Sequence, residues 1–284
     1  MIPGEGARRC AAGLWGISVP SETLAPWNGT HAFVIGDGGV GWLVDPGGAG
    51  TEADAAIDEL LRAAGVRTLK GVLLTHTHRD HVAGVASLLR RHGSVDVWVH
   101  PAGLERLPTG VSARPLQPDR RLVAGACFLT TVATPGHASD HLAFWLPEAR
   151  ALVAGDLVAG RGSTWVGTPD GDVGAYLESL ARAAALDPLL VAPAHGPLRY
   201  DGRRVLDDAR THRLERERAV WLGLAGGPAT LARLREHVYP GLEPAAHDLA
   251  ERSVLAHLRK LMRETRVMHL GNDAEGPFAR APGA

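Results

Sequence analysis

The sequence predicts an α/β protein with a two-layered sheet core, helices outside that core, and a small helical region at the carboxyl end. Apolar strands alternate with amphipathic helices along most of the chain, and this alternation occurs twice. A break at Gly226, Gly227 and Pro228 then precedes a helix–turn–helix–strand pattern, which is the outline of a winged helix. The 284 residues suffice for one large domain and a small appendage.

The first half of the chain predicts a β-hairpin followed by alternating helices and strands. Two apolar runs, 31–39 and 40–48, are divided by a Gly-Asp-Gly-Gly turn, which is typical of a hairpin. Thr51 is expected to cap a helix that continues to Gly65. The next elements are two strands with a helix between them: strands over 72–74 and 95–100, and a helix over 81–91.

The second half repeats this alternation and then changes character. Its expected strands lie over 121–134, 142–146, 151–154 and 189–192, and its expected helices over 173–185 and 201–224. The tail predicts helices over 230–238 and 245–263, a strand over 266–270, and a frayed Gly/Pro/Ala-rich end over 271–284. We therefore expect a large α/β domain over residues 1–224 and a winged-helix-like domain over 225–284.

Composition excludes several classes of protein. Thirty basic and thirty-one acidic residues leave a net charge of −1, so the whole chain has no field to attract nucleic acid or anionic lipid. No stretch approaches the roughly 18 apolar residues that a membrane span needs, and the first residues lack the apolar core of a secretory signal. The two cysteines cannot form a disulfide scaffold, which suits a cytoplasmic location.

The most informative motif is THTHRDH over residues 75–81, which follows a short apolar strand and opens a helix. His76 and His78 point the same way in an extended chain, and Asp80 and His81 follow where the chain reverses. Imidazole and carboxylate groups together suit zinc and its neighbours among the metals. The motif therefore predicts a metal site.

Three further turns place ligand-type residues after apolar strands. His137 follows a strand in ATPGHASDH, Asp156 ends the strand of ALVAGDLVAG, and His195 ends that of LLVAPAHGP. Strand ends on one edge of a sheet core converge in space, which is where sites form. We therefore expect these residues to lie beside the first cluster.

This set of motifs resembles the metallo-β-lactamase-fold hydrolases. HxHxDH, the histidine of TPGH, the aspartate of GD and the histidine of PAHG carry the resemblance over residues 12–200. TPGHASDHLAF and the helix THRLERER before a winged helix are similar to the β-lactamase-like protein 2 and glyoxalase II-like group. The resemblance implies an αββα sandwich with a small winged-helix domain.

The resemblance also implies a site for two divalent metal ions, with zinc as the default. It assigns the ligands in three sets: His76, His78 and His137 for one ion, Asp80, His81 and His195 for the other, and Asp156 for both. Two cations about 3.5–4 Å apart need a shared carboxylate to offset their repulsion and share a hydroxide that acts as the nucleophile. Asp80 is the expected catalytic residue, because it could orient that hydroxide and pass a proton to the leaving group.

Three residues qualify this interpretation. The best-known zinc β-lactamases have a cysteine where Asp156 stands, so antibiotic hydrolysis is not expected as the main activity. Asp45 in LVDPGG resembles a position that supports the metal site through hydrogen bonds, although an Asp-Pro-Gly turn explains it equally well. His141 is expected to pack or bond beneath the site rather than to bind a metal.

The sequence leaves three functions open. The first is hydrolysis of an ester, thioester or similar small molecule, as in glyoxalase II. The second is a single-strand endoribonuclease, which the resemblance to the β-lactamase-like protein 2 group implies. The third is a non-enzymatic winged-helix protein that binds nucleic acid and has a structural metal. The expected partners are a small-molecule substrate, single-stranded RNA under the second hypothesis, no membrane, and a second copy of the chain if the tail dimerises.

Overall fold

The computed structural model describes residues 6–93, 95–271 and 276–283, and its main feature is a pair of β-sheets. The first sheet has seven strands in sequential order: β1 (Arg8–Ala11), β2 (Leu14–Pro20), β3 (Gly29–Asp37), β4 (Val40–Val44), β5 (Thr68–Leu73), β6 (Val97–Val99) and β7 (Arg114–Pro115). Strands β1 to β4 pair antiparallel, and the pairs from β4 to β7 are parallel.

The second sheet has five strands: β8 (Arg121–Ala124), β9 (Cys127–Ala133), β10 (Leu142–Leu146), β11 (Ala151–Gly155) and β12 (Leu190–Pro193). Their spatial order also follows the sequence, from β12 at one edge to β8 at the other. Only β11 and β12 are parallel among these described strands, and α4 (Val173–Ala185) lies between them in the chain. A parallel pair needs such a long connection.

The predicted hairpin over residues 31–48 is confirmed. Asp37 pairs with Val40, so the loop contains only Gly38 and Gly39. Both glycines have positive φ angles, 62° and 85°, which is the combination that two-residue hairpin loops favour. Residues with a β-carbon adopt this conformation at a cost, which explains why two glycines stand here.

Helix α1 (Thr51–Ala63) follows β4 and confirms the predicted helix, although its cap differs from the prediction. Gly50 occupies the cap position, and Thr51 is the first helical residue, with no side-chain cap bond. The first helical bond runs from the Asp54 N–H to the Gly50 carbonyl. The prediction that Thr51 caps the helix was therefore wrong by one residue.

The single helix predicted over residues 81–91 is divided into α2 (Arg79–Val82) and α3 (Val85–His92). The N–H of Gly84 donates to the Gly47 carbonyl, 3.0 Å away, rather than to a helical carbonyl. A β-carbon at Gly84 would lie 2.6 Å from the Gly48 carbonyl oxygen. The chain after β4 therefore passes so close to Gly84 that the helix is interrupted there.

Backbone contacts group the chain into two compact units, and both sheets belong to the first. This unit comprises Met1–Thr134, Asp140–Thr164 and Arg182–Val205. Its apolar interior has two layers. Residues of both sheets, including Phe33, Leu73 and Phe144, form one cluster, and the opposite face of the first sheet packs on α1 and α3 through residues such as Ile57 and Leu88.

The second unit comprises Pro135–Ser139, Trp165–Ala181 and Leu206–Ala284. Its described elements are most of α4, most of α5 (Gly202–Gly223), α6 (Leu231–Val238), a 3₁₀ turn (Pro244–Ala246), α7 (His247–Arg263), and a hairpin of β13 (Val267–His269) and β14 (Phe278–Arg280). Two helices followed by a hairpin make a winged helix. Thr230 caps α6 by accepting a bond from the Arg233 N–H.

The end of the chain differs from the predicted frayed tail. Phe278 pairs with His269 across the hairpin and is 2% exposed in the apolar cluster of the second unit. Phe278 gives this segment an apolar group to bury. The prediction of a frayed end rested on the Gly/Pro/Ala-rich composition of the whole segment and did not consider this single residue. Residues 272–275 and 284 of the predicted frayed end lie outside the described residues.

The predicted domain boundary between residues 224 and 225 stays a prediction. Backbone contacts place short segments from the middle of the chain with the second unit, and such a discontinuous arrangement has no signature in composition. Among the described residues, no helix is long and apolar enough to cross a membrane.

The core of the first unit provides a stability test. Phe144 is fully buried between the two sheets, so Phe144→Ala should lower the free energy of unfolding by about 3–5 kcal/mol. Val123→Ala is the control, because Val123 is 47% exposed and should cost less than about 0.5 kcal/mol. Urea unfolding followed by tryptophan fluorescence measures both, since five of the seven tryptophans lie in the first unit. Equal unfolding midpoints for the two variants would contradict this account of the core.

Candidate metal centre

The polar side chains that the sequence predicted lie where strands of the first unit end. Asp45 follows β4, the segment 75–81 follows β5, Asp156 follows β11, and His195 lies two residues beyond β12. Two groups of donor atoms within this unit could hold a metal ion, and the atoms of each lie within 4.8 Å of one another. They are Asp80, His81 and His195, and His76, His81 and Asp156.

Asp45 is a hub of hydrogen bonds beneath the site. It is 1% exposed and has a positive φ of 47°. The Thr75 N–H donates to its Oδ1 at 2.8 Å, and the Thr75 hydroxyl donates to its Oδ2 at 2.6 Å. His81 donates from Nδ1 to the same Oδ2 at 2.9 Å. Asp45 thus fixes the His81 ring with Nε2 directed away from it, toward the other carboxylates.

Thr75 links Asp45 to His76 and orients the His76 ring. Because the Thr75 hydroxyl donates to Asp45, its oxygen accepts a bond from His76 Nδ1, 3.0 Å away. That places the proton of a neutral His76 ring on Nδ1 and makes Nε2 the nitrogen able to bind a metal. His76 Nε2 lies 2.9 Å from His78 Nδ1. These two predicted ligands therefore face the same point.

His195 is oriented by the backbone of the neighbouring sheet. Its Nδ1 donates to the Gly29 carbonyl at 3.0 Å, so its Nε2 faces the carboxylates. His31 lies nearby, 3% exposed, and donates from Nδ1 to the Pro193 carbonyl at 2.9 Å. Burial lowers the pKa of His31 to about 3, with smaller contributions from nearby cations that include His195, so His31 stays neutral at physiological pH.

Four donor atoms surround one point at similar distances. His195 Nε2 lies 3.3 Å from Asp80 Oδ2 and 3.3 Å from Asp156 Oδ1. His81 Nε2 lies 3.8 Å and 3.6 Å from the same two oxygens. The four side chains are 0–13% exposed. This arrangement places two carboxylates and two imidazoles around a shared, largely buried space.

The spacing of these atoms fits a divalent cation. A tetrahedral ion with bonds of about 2.0–2.2 Å holds its ligand atoms about 3.3–3.6 Å apart. His81 Nε2 is buried and has no hydrogen-bond partner among the described residues, which is costly for a polar atom unless something binds it. Two carboxylates also balance a charge of +2. The donor set therefore fits a metal ion.

The electrostatics of the cluster favour protons where a cation is absent. Burial alone would lower the pKa of His81, but Asp45 and Asp156 outweigh burial and raise it to about 9. Burial likewise opposes the charge of His195, and Asp156 and Asp80 raise its pKa to about 11. Burial would raise the pKa of Asp80, but the bond from His195 and the charge of His81 lower it to about 2.

The other two histidines of the prediction, His137 and His141, belong to different units. His137 belongs to the segment Pro135–Ser139 of the second unit, and its Nδ1 donates to the Trp165 carbonyl at 2.7 Å, so Nε2 is the nitrogen that could bind a metal. His141 belongs to the first unit. Its Nδ1 donates to Thr134 Oγ1 at 2.8 Å and its Nε2 accepts from the Asp156 N–H at 3.0 Å.

Sequence reasoning did not single out Thr75, Thr30 or His31 as parts of the site. Thr75 links Asp45 to His76, and Thr30 donates to Asp80 Oδ2 at 3.4 Å. Thr75 had a local signal, because it precedes the first histidine of the motif directly. Thr30 and His31 lie on β3, about fifty residues before the motif, and only the pairing of strands brings them near it.

Family models match both parts of the chain. Residues 25–195 match the model described as Metallo-beta-lactamase superfamily, which is more than half of the chain. Residues 230–275 match the model described as Beta-lactamase associated winged helix domain. The second match coincides with α6, α7 and β13, and both matches agree with the predicted fold.

Individual proteins are similar over much of the chain. Thioesterase pkgB of Emericella nidulans is 30% identical over 223 residues, which are 78% of this chain and 61% of that protein. The beta-lactamase-like protein 2 homolog of Caenorhabditis elegans is 28% identical over 200 residues, 68% of this chain and 64% of that protein. The chain thus spans less than two thirds of the length of both relatives.

A solved structure, a beta-lactamase domain protein from Burkholderia ambifaria, superposes with a TM-score of 0.84. It is 23% identical, and the match covers 99% of this chain and 95% of that one, which shows a shared fold. The comparisons confirm the predicted fold, the resemblance and the class of metal-dependent hydrolase. Zinc as the metal and a cytoplasmic location stay predictions.

Asp45→Asn should weaken binding of divalent ions about 10–100-fold. The amide that replaces Oδ2 is a donor, so it cannot accept from both the Thr75 hydroxyl and His81 Nδ1. Asp37→Asn is the matched control, because Asp37 ends the neighbouring strand β3 and is exposed. Competition with a chromogenic chelator for Zn²⁺ measures the affinity. Equal affinities for the two variants would refute the role of Asp45.

Ion binding should release protons and strengthen as pH rises from 6 to 8. With pKa values of about 9 and 11, His81 and His195 are protonated at pH 7 without a metal, and each must lose a proton to bind one. Calorimetry of Zn²⁺ binding in buffers of different ionisation enthalpy counts the protons. Without a metal, the ion pairs that protonated His81 and His195 form with the neighbouring carboxylates stabilise the fold. This contribution is fully present below pH about 6.5 and is lost as pH rises through about 9 to 11. Binding without proton release would contradict the prediction.

Proposed function

Because the chain belongs to the metallo-beta-lactamase superfamily, we propose that it hydrolyses esters or thioesters of small acyl groups at a site for two divalent metal ions. One observation carries the proposal: four donor atoms from the largely buried side chains of Asp80, His81, Asp156 and His195 surround one point at spacings that suit a cation. The seven ligands that the resemblance implies exceed the four that a closed structural zinc site uses. The donor set therefore favours catalysis over a purely structural metal.

The proposed ligands divide as the resemblance implies. Asp80, His81 and His195 would hold one ion, and Asp156 would contact both. By the same resemblance, His76, His78 and His137 would hold the other. For each of His76, His81, His137 and His195, a bond from Nδ1 to a hydroxyl, carboxylate or carbonyl oxygen supports this assignment by directing Nε2 toward an ion. We propose zinc for both positions.

When bound, such ions supply Lewis acidity, which lowers the pKa of water toward about 7 and polarises the carbonyl of a substrate. The residues of the chain supply position and proton transfer. Asp156 and Asp80 balance positive charge, and the ring bonds of the histidines keep the donors aligned without reorganisation during the reaction. Asp45 and His141 support this alignment from beneath the site.

Asp80 is the proposed catalytic residue. Its carboxylate is 13% exposed, and the Thr30 hydroxyl and His195 Nε2 approach the same oxygen, Oδ2, at 3.4 Å and 3.3 Å. A low pKa keeps the carboxylate charged at neutral pH, so it can accept a bond from an attacking water and orient it. The same group would then pass a proton to the leaving oxygen or sulfur.

Two features support an acyl substrate. Thioesterase pkgB is similar over most of this chain. The apolar run 24–27 of the loop after β2 also lies beside the site, since a β-carbon at Gly196 would lie 2.8 Å from the Trp27 ring and Gly196 directly follows His195. Leu24 of this loop is 51% exposed. Leu24 and Trp27 would give the apolar part of an acyl group a surface to contact.

The alternatives have less support. Residues 225–270 contain seven basic and five acidic residues, which is a weak electrostatic footprint for RNA. The comparisons do not support RNA or a second copy of the chain as partners, so both stay predictions. The hydrolase class confirmed above argues against the non-enzymatic alternative.

The zinc-loaded protein should release thiol from short acyl thioesters such as butyryl-pantetheine, and Asp80→Asn should lower kcat/KM about 10²–10⁴-fold. The amide cannot accept a proton from water or carry it to a leaving group. A thiol-reactive dye follows the reaction. Asp96→Asn is the control, because Asp96 is an exposed carboxylate that pairs with Arg114.

The same preparations should be incubated with labelled single-stranded RNA. Thiol release that depends on Asp80, with intact RNA, supports the proposal. A protein with two ions bound that cleaves RNA and leaves thioesters intact would contradict it in favour of the ribonuclease.

A further inference from the structure

A buried carboxylate outside the proposed ligand set lies against the metal-binding motif. Asp140 is 0% exposed, and its Oδ2 accepts a bond from the Thr77 hydroxyl at 2.8 Å. Thr77 stands between His76 and His78 in the chain. Asp140 therefore contacts the residue that joins two proposed ligands, although it does not reach either imidazole itself.

The surroundings of Asp140 only partly stabilise the charge of its carboxylate. Its Oδ1 has no hydrogen-bond partner among the described residues, and the Arg106 guanidinium lies 3.7 Å away, beyond a good hydrogen bond. A buried charge that is only partly balanced lowers the stability of a fold. If position 140 served packing alone, an apolar residue of similar volume would make the fold more stable. A role for the carboxylate beyond packing would account for its presence.

The packing around Asp140 leaves little freedom for the Thr77 bond. A β-carbon at Gly103 would lie 2.5 Å from Asp140 Oδ2 and 2.9 Å from Thr77 Cγ2. Gly103 belongs to the short 3₁₀ turn Pro101–Arg106, which also carries Arg106. This turn thus packs closely against one side of the Thr77–Asp140 bond and places the positive charge of Arg106 near the carboxylate.

Asp140 is the first of three consecutive residues that bond to ligand-bearing loops. His141 Nε2 accepts from the Asp156 N–H at 3.0 Å, and the Leu142 N–H donates to the Thr75 carbonyl at 2.7 Å. The start of β10 therefore connects the second sheet to the motif that follows β5 of the first sheet. Among these three bonds, that of Asp140 lies closest in sequence to His78.

We infer that Asp140 is a positioning residue, which fixes the turn between His76 and His78 through Thr77 and thereby sets the geometry of the ion that these histidines hold. The inference rests on the proposed metal site and not on the proposed substrate. Arg106 partly balances the charge of this carboxylate from the side of Oδ1. Loss of the acceptor on Asp140 or of the donor on Thr77 should disturb the same ligand pair.

The test uses full-length protein loaded with Co²⁺, whose visible absorption reports the geometry of its ligands, together with Zn²⁺ affinity from chelator competition. Asp140→Ala and Thr77→Val should each change the Co²⁺ spectrum and lower Zn²⁺ affinity about tenfold or more. The double variant should be no worse than either single variant, because both remove one bond. Asp140→Asn should keep the spectrum, since its amide oxygen can still accept from Thr77.

Two further variants distinguish an effect on the position of the metal ligands from an effect on the stability of the fold. Gly103→Ala keeps both partners but pushes a β-carbon into the bond, so it should change the Co²⁺ spectrum as Thr77→Val does. Thr131→Val is the control: Thr131 is a buried threonine outside the site, whose hydroxyl donates to the Gln117 carbonyl and accepts from the Arg120 N–H. It should lower the urea midpoint and leave the spectrum and the Zn²⁺ affinity unchanged.

An unchanged Co²⁺ spectrum and Zn²⁺ affinity in both Thr77→Val and Gly103→Ala would overturn the inference and leave Asp140 with a structural role only. If Asp140→Ala does not fold, the other variants still decide the question. A protein that binds Co²⁺ with these spectral changes but hydrolyses no thioester contradicts the proposed substrate and supports the positioning role. A protein that binds no ion overturns both.

Discussion

Two carboxylates and two imidazoles buried around one point are the constraint on which the rest of the site depends. Asp80 and Asp156 cannot both keep their charge there without positive charge between or beside them, and His81 and His195 supply it only as protonated rings. A divalent cation satisfies the same carboxylates and binds the neutral rings. The proposed metal would therefore replace the protons of these two rings.

The surrounding fold holds this cluster by bonds from outside it. Asp45 orients His81 and Thr75, the Gly29 carbonyl orients His195, and His141 accepts from the backbone of Asp156. These supports come from strands of both sheets, so the site exists only where the two sheets meet. Such outer bonds fix the tautomer and direction of each ligand before an ion arrives, which reduces the reorganisation that binding requires.

Local patterns were sufficient for most elements. The Gly38-Gly39 loop, the periodicity of α1 and the apolar strands each depend on residues adjacent in sequence, and the structure confirms them. Apart from the one-residue error in the cap of α1, the errors arose where a distant segment decides local structure. Gly84 interrupts a periodic helix because the chain near Gly47 takes its N–H, and the tail is ordered over 278–280 because Phe278 finds a partner strand and an apolar cluster.

The sequence by itself determined the chemistry of this protein: the donor types, their order along the chain and their positions after strands all follow from the motif 75–81 and the turns at 137, 156 and 195. Tertiary structure decided which of these atoms face one another and at what spacing. It also decided the roles of Thr75, Thr30 and Asp140, because the residues that they bond to, Asp45, Asp80 and Thr77, are 30 to 63 residues away in the sequence. Hydrogen bonds and ion coordination act over about 2–4 Å, and only the folded chain brings such distant residues within that range.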